Sequence, residues 1–505
     1  MDKFWKQFKS GTDIRGVAVD GVEGEPLNLT DDTVASMAAA FLVWLSQRTG
    51  KAVTELKVAV GHDSRISAER IRSAVVNAMV NCGASVLNCG LSSTPAMFMI
   101  TLDKKCDGSV QITASHHPYH RNGLKFFTPA GGLDGCDIED ILSFCDEGRL
   151  PETCDGGRVE NIDYMTEYAS HLRDIICREV KSENYEKPLE GFHIVVDAGN
   201  GAGGFYAYGV LEPLGADISG SVYLDPNGMF PNHIPNPENK QAMQSICNAT
   251  LSSKADLGVI FDTDVDRGGA VDNFGAEINR NRLVALASAI ALENCPGGTI
   301  VTDSTTSAGL KKFIEETLGG VHYRYRRGYR NVINRAIELN EQGVKCPLAI
   351  ETSGHAALKE NYFLDDGAYL VTKIIIKMAQ LRAQGKTLAE LTADLEEPLE
   401  ESELRFKIKS EDFREYGEKV LADLEKFANE REDWIIADDN REGLRVSFED
   451  AQGWFLLRLS VHDPIMPLNL ESMQEGGCRK IAAKLYEFLR GCDMLDLSAI
   501  ESYIQ

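Results

Sequence analysis

The residues able to do chemistry sit in a few short runs. Asp262-Thr263-Asp264-Val265-Asp266-Arg267 places three carboxylates at alternate positions, followed by a cation. If that loop curls, the carboxylates converge on one ion, and an all-oxygen set suits a hard cation, Mg2+ first. An EF-hand is excluded, because no Gly follows Asp266 and Asn273, not Glu, stands at the twelfth position. The competing reading is an exposed acidic turn, against which the apolar run Gly258–Phe261 argues. Thr113-Ala114-Ser115-His116-His117-Pro118 sets a serine on a strand-to-loop turn, where a nucleophile or phosphoryl carrier is exposed and rigidly placed. A G-x-S-x-G elbow is absent, so an esterase triad gains no support.

Four further runs carry weaker signals. Asn122-Gly123-Leu124-Lys125-Phe126-Phe127 puts Lys125 beside the serine loop, where it bears on a transferring phosphoryl group or is an ordinary exposed strand position. Glu351-Thr352-Ser353-Gly354-His355 offers an acceptor, a hydroxyl and an imidazole, the mixture that reads sugar hydroxyls, and Gly354 permits close approach. Tyr323 to Arg330 carries four arginines, whose forks match phosphate oxygens, although a charge run is more often a solvated face. Arg458, Ser460 and His462 alternate ahead of Pro464, a pattern able to clamp a phosphate.

These loops need elements to aim them, and a threefold repeat supplies them. Lys57–Asp63, Phe192–Asp197 and Gly298–Asp303 are each a short β-branched run ending at an acid. Each predicts a buried strand feeding a helix through a tight turn. A helix-length stretch follows each, then a second short strand opening at Gly83, Gly215 or Gly320. The third strands, Ser109–Ile112, Leu257–Phe261 and Pro347–Ile350, run straight into the serine, carboxylate and Glu351 loops. Strand and helix in alternation predict a mixed or parallel sheet covered by helices, with ligands at the carboxyl ends of the strands. The stretch after Pro398 differs. From Glu396 to Asp450 there are 19 acids against 9 bases, and long helical patterns flank a strand pair at Gly443–Phe448 and Gly453–Leu459. That order predicts a separate α+β domain.

Composition bounds the function. The chain has 505 residues, a formal charge of −25 and 43% apolar residues, which fits a globular protein of several domains. The acid surplus excludes a chain-wide nucleic-acid or anionic-membrane surface but leaves room for a small anionic substrate at one basic pocket. The 12 cysteines form no C-x-x-C pair, so buried free thiols are expected. The start lacks a signal-peptide core, and the apolar run Val34–Leu45 is too short to span a bilayer, so a cytoplasmic location is expected.

Taken together, the loops resemble the α-D-phosphohexomutase family, which includes phosphomannomutase/phosphoglucomutase, over nearly the whole chain. Ser10–Gly16 looks like the family's N-terminal loop, and Gly61-His62-Asp63-Ser64-Arg65 like its first helix turn. Thr113–Pro118 is similar to the phosphoserine loop T-A-S-H-N-P with His117 in place of Asn; the metal loop D-x-D-x-D-R and the sugar loop E-x-S-G-H also match. The resemblance implies three related α/β domains with mixed sheets around a central cleft, plus a C-terminal α+β domain. The divisions expected are 1–158 with the phosphoserine loop, 159–275 with the metal loop, 276–395 with the sugar loop, and 396–505 with the phosphate loop.

The resemblance also implies roles. Ser115 carries a phosphoryl group and, with Asp262, Asp264 and Asp266, holds Mg2+. Arg15, His116, Lys125 and Arg267 surround the transferring group, and His355 is the candidate acid/base. Glu351 and Ser353 read the sugar, while Arg458, Ser460 and His462 hold phosphate. The implied activity interconverts hexose 1- and 6-phosphates of glucose, mannose or both, with hexose 1,6-bisphosphate as intermediate and activator, in a monomer or homodimer. Val461, His462 and Asp463 replace the family's Asn, Thr and Glu, and Tyr329 stands where some members have His. These departures leave open a catalytically weak or regulatory relative that binds sugar phosphates. A metal-dependent phosphatase is the third class.

Overall fold

A computed structural model gives the fold and describes residues 1–460 and 463–505, so His462 lies outside the described residues. The chain forms two compact units, Met1–Ile290 with Ser353–Leu391, and Ala291–Thr352 with Thr392–Gln505.

The first unit holds two sheets. In the first, Lys57–His62 lies between Gly108–Ile112 and Ser85–Leu91, parallel to both. Arg121–Thr128 and then Asp13–Val17 extend the sheet antiparallel beyond Gly108–Ile112. Parallel neighbours need crossover helices, and Ala68–Asn81 and Thr94–Asp103 supply them. Helix Asp31–Thr49 starts where the Thr30 hydroxyl accepts from Thr33 N at 3.3 Å and stops at Gly50, whose φ is 71°. Its Val34, Phe41 and Leu45 pack with Val58, Val110 and Phe126 in one apolar core.

The second sheet pairs Ile194–Asp197 parallel with Leu257–Phe261, and Gly268–Asp272 returns antiparallel. Here the second strand expected at 215–218 shrinks to single bridges, His193 with Asp217 and Asp197 with Val222. The cause is local: Asp217 Oδ1 accepts from Ser219 N at 2.9 Å, and Gly220 has a φ of 87°, so the chain turns before a ladder can form.

In the second unit Thr299–Asp303 runs parallel to Val321–Tyr325 on one side and Leu348–Ile350 on the other. The third repeat therefore has the same order as the first, with its earliest strand in the middle. The C-terminal part is an antiparallel sheet in the order Glu400–Lys407, Ile465–Ser472, Gly453–Leu457, Leu444–Phe448, Ile435–Ile436. Helices Phe413–Asn429 and Gly477–Leu489 accompany it. Its core gathers Phe406, Trp434, Phe448, Phe455 and Leu485. The expected strand pair is present, and three more strands extend the sheet on either side of it. None of the 12 cysteines is in a disulfide. Among the described residues no helix is long and apolar enough to cross a membrane.

Candidate active site

The serine loop leaves the end of Gly108–Ile112, and Ser115 adopts a left-handed backbone with φ 50°. That conformation is costly for a residue with a Cβ and turns the hydroxyl away from the strand line. Ser115 is buried. Its Oγ donates to Asp262 Oδ2 at 3.1 Å and lies 3.3 Å from His116 Nδ1. Burial, helped by Arg267, drives the His116 pKa down to about 2, so its ring is neutral. Arg267 donates to His116 Nδ1 at 3.0 Å, which leaves the His116 proton on Nε2.

The carboxylate loop follows Leu257–Phe261, and Asp262, Asp264 and Asp266 are all buried. One oxygen of each lies within 4.8 Å of the others. Lys125 Nζ donates to Asp264 Oδ2 at 3.0 Å and also to Asp266. Thr94 adds its hydroxyl to Asp264 at 2.5 Å. Yet Asp264 Oδ1 and Asp266 Oδ1 are buried and have no hydrogen-bond partner. Buried carboxylate oxygens left bare are costly, and a hard cation would satisfy them, so the donor set fits a divalent metal. Burial and the two neighbouring carboxylates push the Asp262 pKa well up. Burial would raise Asp266 too, but the Lys125 and Arg267 cations beside it outweigh it and hold that carboxyl below the usual range.

Arg15 and Lys125 come from adjacent strands. Arg15 pairs with Gly123, two residues before Lys125, so both side chains share one sheet face. Arg15 donates to Asp13 at 2.8 Å, while its buried Nε has no partner.

Arg267 links this cluster to His355. Its Nε donates to His355 Nε2 at 2.8 Å, and His355 Nδ1 lies 2.5 Å from Asp365 Oδ2. Burial disfavours a charged His355 and Asp365 favours one, raising its pKa overall, but an arginine N–H aimed at Nε2 fits only the neutral ring. The hydrogen-bond geometry decides, and the His355 proton sits on Nδ1. Gly367 lies against the backbone of Arg267 and Gly268 with no room for a Cβ, and its N–H donates to Val265 O at 3.1 Å. Helix Gly367–Arg382 thus begins on the carboxylate loop.

The first unit therefore brings together Ser115, His116, Lys125, Asp262, Asp264, Asp266, Arg267 and His355, residues up to 240 positions apart. Ser353 is buried in the same unit. Glu351 belongs to the second unit, where its Oε1 accepts from Gly328 N at 2.6 Å. Arg458 there is half-buried; burial and the nearby Arg327 lower its pKa, and its Nε has no partner. Ser460 Oγ accepts from Asp463 N at 3.3 Å. The arginine run does not act as one patch. Arg324 is buried and spends its donors on Asp439, Thr306 and Ser307, a structural role.

Comparison with known proteins agrees with this geometry. Domains I, II and III of phosphoglucomutase/phosphomannomutase, each described as alpha/beta/alpha, match residues 8–145, 166–275 and 279–399. The chain belongs to the phosphoglucomutase/phosphomannomutase family. It is a phosphohexomutase, an isomerase. A phosphoglucomutase of Neisseria meningitidis is 28% identical over 93% of this chain and 94% of its own length. A phosphomannomutase/phosphoglucomutase of Pseudomonas aeruginosa is 28% identical over 95% of each chain. The crystal structure of a phosphoglucomutase/phosphomannomutase family protein from Burkholderia thailandensis superposes with a TM-score of 0.79 at 25% identity, covering 98% of both chains. The phosphohexomutase family is metal-dependent, and the three buried aspartates here could hold a metal ion. The names of these relatives support a mutase over a purely regulatory sugar-phosphate binder.

Sequence reading missed several partners of this phosphohexomutase site. Asp365 was signalled by the acidic doublet Asp365-Asp366 ten residues beyond His355; Thr94 had no signal beyond its helix start. The segment 232–238 was also missed. Its Asn236 accepts from Arg267 at 3.3 Å, and Glu238 lies 3.7 Å away from the same guanidinium. His233 anchors that segment. Its Nε2 meets both Asp197 oxygens at 3.0 and 3.1 Å, and its Nδ1 meets Ile234 O at 3.0 Å. Two acceptors require two N–H donors, so His233 is an imidazolium. Burial opposes that charge, but the Asp197 contacts outweigh it and raise the pKa. A raised folded-state pKa contributes stability that is complete below the unfolded value of about 6.5 and is lost as pH climbs through the folded value. Thermal melts of His233→Gln against the parent should differ most at low pH and converge as pH rises. A gap that widens with pH would contradict the assignment.

Proposed function

We propose that this phosphohexomutase interconverts the 1- and 6-phosphates of glucose and mannose through a phosphoserine at Ser115 and a hexose 1,6-bisphosphate. The observation that carries the reading is the Ser115 hydroxyl, rigid in a left-handed turn and 3.1 Å from a carboxylate of the acidic triad. In the forward step the Oγ–P bond of phosphoserine breaks as a hexose hydroxyl oxygen bonds to phosphorus. The hydroxyl proton passes to a base, and the Ser115 oxygen takes up the electron pair of the broken bond. The bisphosphate then turns over and returns its other phosphoryl to Ser115.

The chain's cations do the electrostatic work of that transfer. Arg15 with its unpartnered Nε, Lys125 and Arg267 stabilise charge on the equatorial oxygens. His355, with Nδ1 anchored on Asp365, has the form of a general base oriented by a carboxylate, its Nε2 lone pair released when the Arg267 guanidinium turns from it to the phosphoryl group. His116 is neutral beside Ser115 and orients the Arg267 fork. Asp262, Asp264 and Asp266, with the phosphorylated Ser115, would hold Mg2+, which neutralises phosphoryl charge when bound. Glu351 and Ser353 read sugar hydroxyls, and Arg458 and Ser460 hold phosphate.

Four sheets support a four-domain division near 158, 275 and 395, with Arg158–Asn161 of the first sheet and Glu277–Ile278 of the second reaching just past the first two boundaries. A cytoplasmic location is consistent with twelve free thiols. The reading is tested with glucose, mannose, glucosamine and N-acetylglucosamine 1-phosphates, each assayed with hexose 1,6-bisphosphate. Glucose and mannose phosphates should turn over fastest, without release of inorganic phosphate. A preference for N-acetylglucosamine phosphate would overturn the substrate assignment, and steady phosphate release would indicate a phosphatase.

A further inference from the structure

Arg65 ends the Gly61–Arg65 turn and belongs to none of the serine, carboxylate, sugar or phosphate loops, yet its side chain is wholly buried against the serine loop. Its four terminal N–H donors are all committed to backbone carbonyls. One terminal nitrogen donates to Pro118 O at 2.8 Å and Arg121 O at 3.0 Å. The other donates to His117 O at 2.7 Å and to Ser115 O. Nε faces Asp63 Oδ2 at 3.2 Å. With both terminal nitrogens spent on backbone carbonyls and Nε turned to Asp63, the guanidinium has no fork left for a substrate phosphate.

The contacts close into a ring around the nucleophile. Asp63 Oδ2 accepts from the Thr113 hydroxyl at 2.7 Å, and that hydroxyl accepts from Ser115 N at 2.9 Å. Ser115 O returns to Arg65, and Arg65 N donates to Asp63 Oδ1 at 3.0 Å. Side chains thus hold both backbone groups of Ser115, and only its hydroxyl is left for chemistry. The second sheet's loop closes the ring from outside. The Phe230 ring lies 5.3 Å from the Arg65 guanidinium carbon, and Gly228 bridges to Arg65 so closely that a Cβ there would strike its backbone.

We propose that Arg65 is the positioning residue for the phosphoryl carrier. Clamping four carbonyls of residues 115–121, it holds Ser115 in its left-handed turn and aims Oγ at Asp262. The inference rests on Ser115 being the carrier. Arg65→Lys keeps a cation for Asp63, and so keeps the fold, but its ammonium has three donors where the clamp needs four. Misplacing a reacting atom by about 1 Å costs about 100-fold, so Arg65→Lys should lose about that factor in kcat with KM nearly unchanged. Arg65→Ala should lose more and recover part of its kcat when guanidinium ion is added, whereas a variant that merely unfolds would not.

Three results would overturn the proposal: kcat of Arg65→Lys within about threefold of the parent, KM rising in step with the loss, or a loss that vanishes once corrected for the folded fraction. Ser115→Ala run alongside separates the two readings. If it stays active, the phosphoserine reading fails; if it is inactive while Arg65→Lys is unimpaired, only the clamp fails.

Discussion

Ser115→Ala is expected to lower mutase turnover by about 10^4-fold or more, the scale seen when an enzyme loses its nucleophile. The backbone penalty of the left-handed turn is similar for Ala and Ser, so the variant should fold. It forfeits one hydrogen bond to Asp262, worth about 1 kcal/mol. Arg267 N still donates to Asp262 Oδ1 at 3.3 Å, so the carboxylate keeps a partner. The activity loss is therefore chemical rather than structural. A coupled assay of hexose 1-phosphate conversion reads it directly. Intact-mass measurement should find one phosphate on the parent, discharged by hexose phosphate, and none on the variant. Turnover within tenfold of the parent would remove Ser115 from the mechanism.

Asp264→Asn should cost about 10^3-fold in activity and uncouple the protein from its metal. Asp264 is fully buried, with Thr94 and Lys125 on one oxygen and nothing on the other. The amide keeps the shape but removes the charge that a hard cation needs. A bound ligand stabilises a fold by about 2.7 kcal/mol at 100 times its dissociation constant. Saturating Mg2+ should raise the melting temperature of the parent and do little for the variant. This readout is independent of activity, so loss of metal binding is distinguished from loss of catalysis. An unchanged metal requirement would remove Asp264 from the metal site.

How far the sequence reaches depends on how local each signal is. The third strands were legible because each is an uninterrupted apolar run that stops at a polar loop, as Leu257–Phe261 stops at Asp262. The strand at 215–218 was not, because a side-chain turn at Asp217 competes with the ladder, and composition alone does not settle that contest. Glu400–Lys407 was hidden among acids. Only its antiparallel register with Ile465–Ser472, from Glu400 opposite Ser472 to Lys407 opposite Ile465, makes it a strand. Arg324 and Arg327 looked equivalent in sequence. Burial gives Arg324 to Asp439, while Arg327 N meets Glu442 and its charge bears on Arg458.

The chemical inventory was legible in the residues alone: a serine turn, three alternating aspartates, an Arg after them, and a Glu-x-Ser-Gly-His loop, each at the end of a repeated strand. It was legible because motif spacing and strand-forming runs are properties of neighbouring residues. Which groups meet came from the packed fold. It put Lys125 on Asp264, Arg267 between His116 and His355, Asp365 behind His355, and Arg65 around the carbonyls of the serine loop. The physical reason is that each pairing depends on strand order and on burial. Parallel strands joined by crossover helices align loops from distant parts of the chain, and burial favours the arrangements in which the donors placed there meet acceptors.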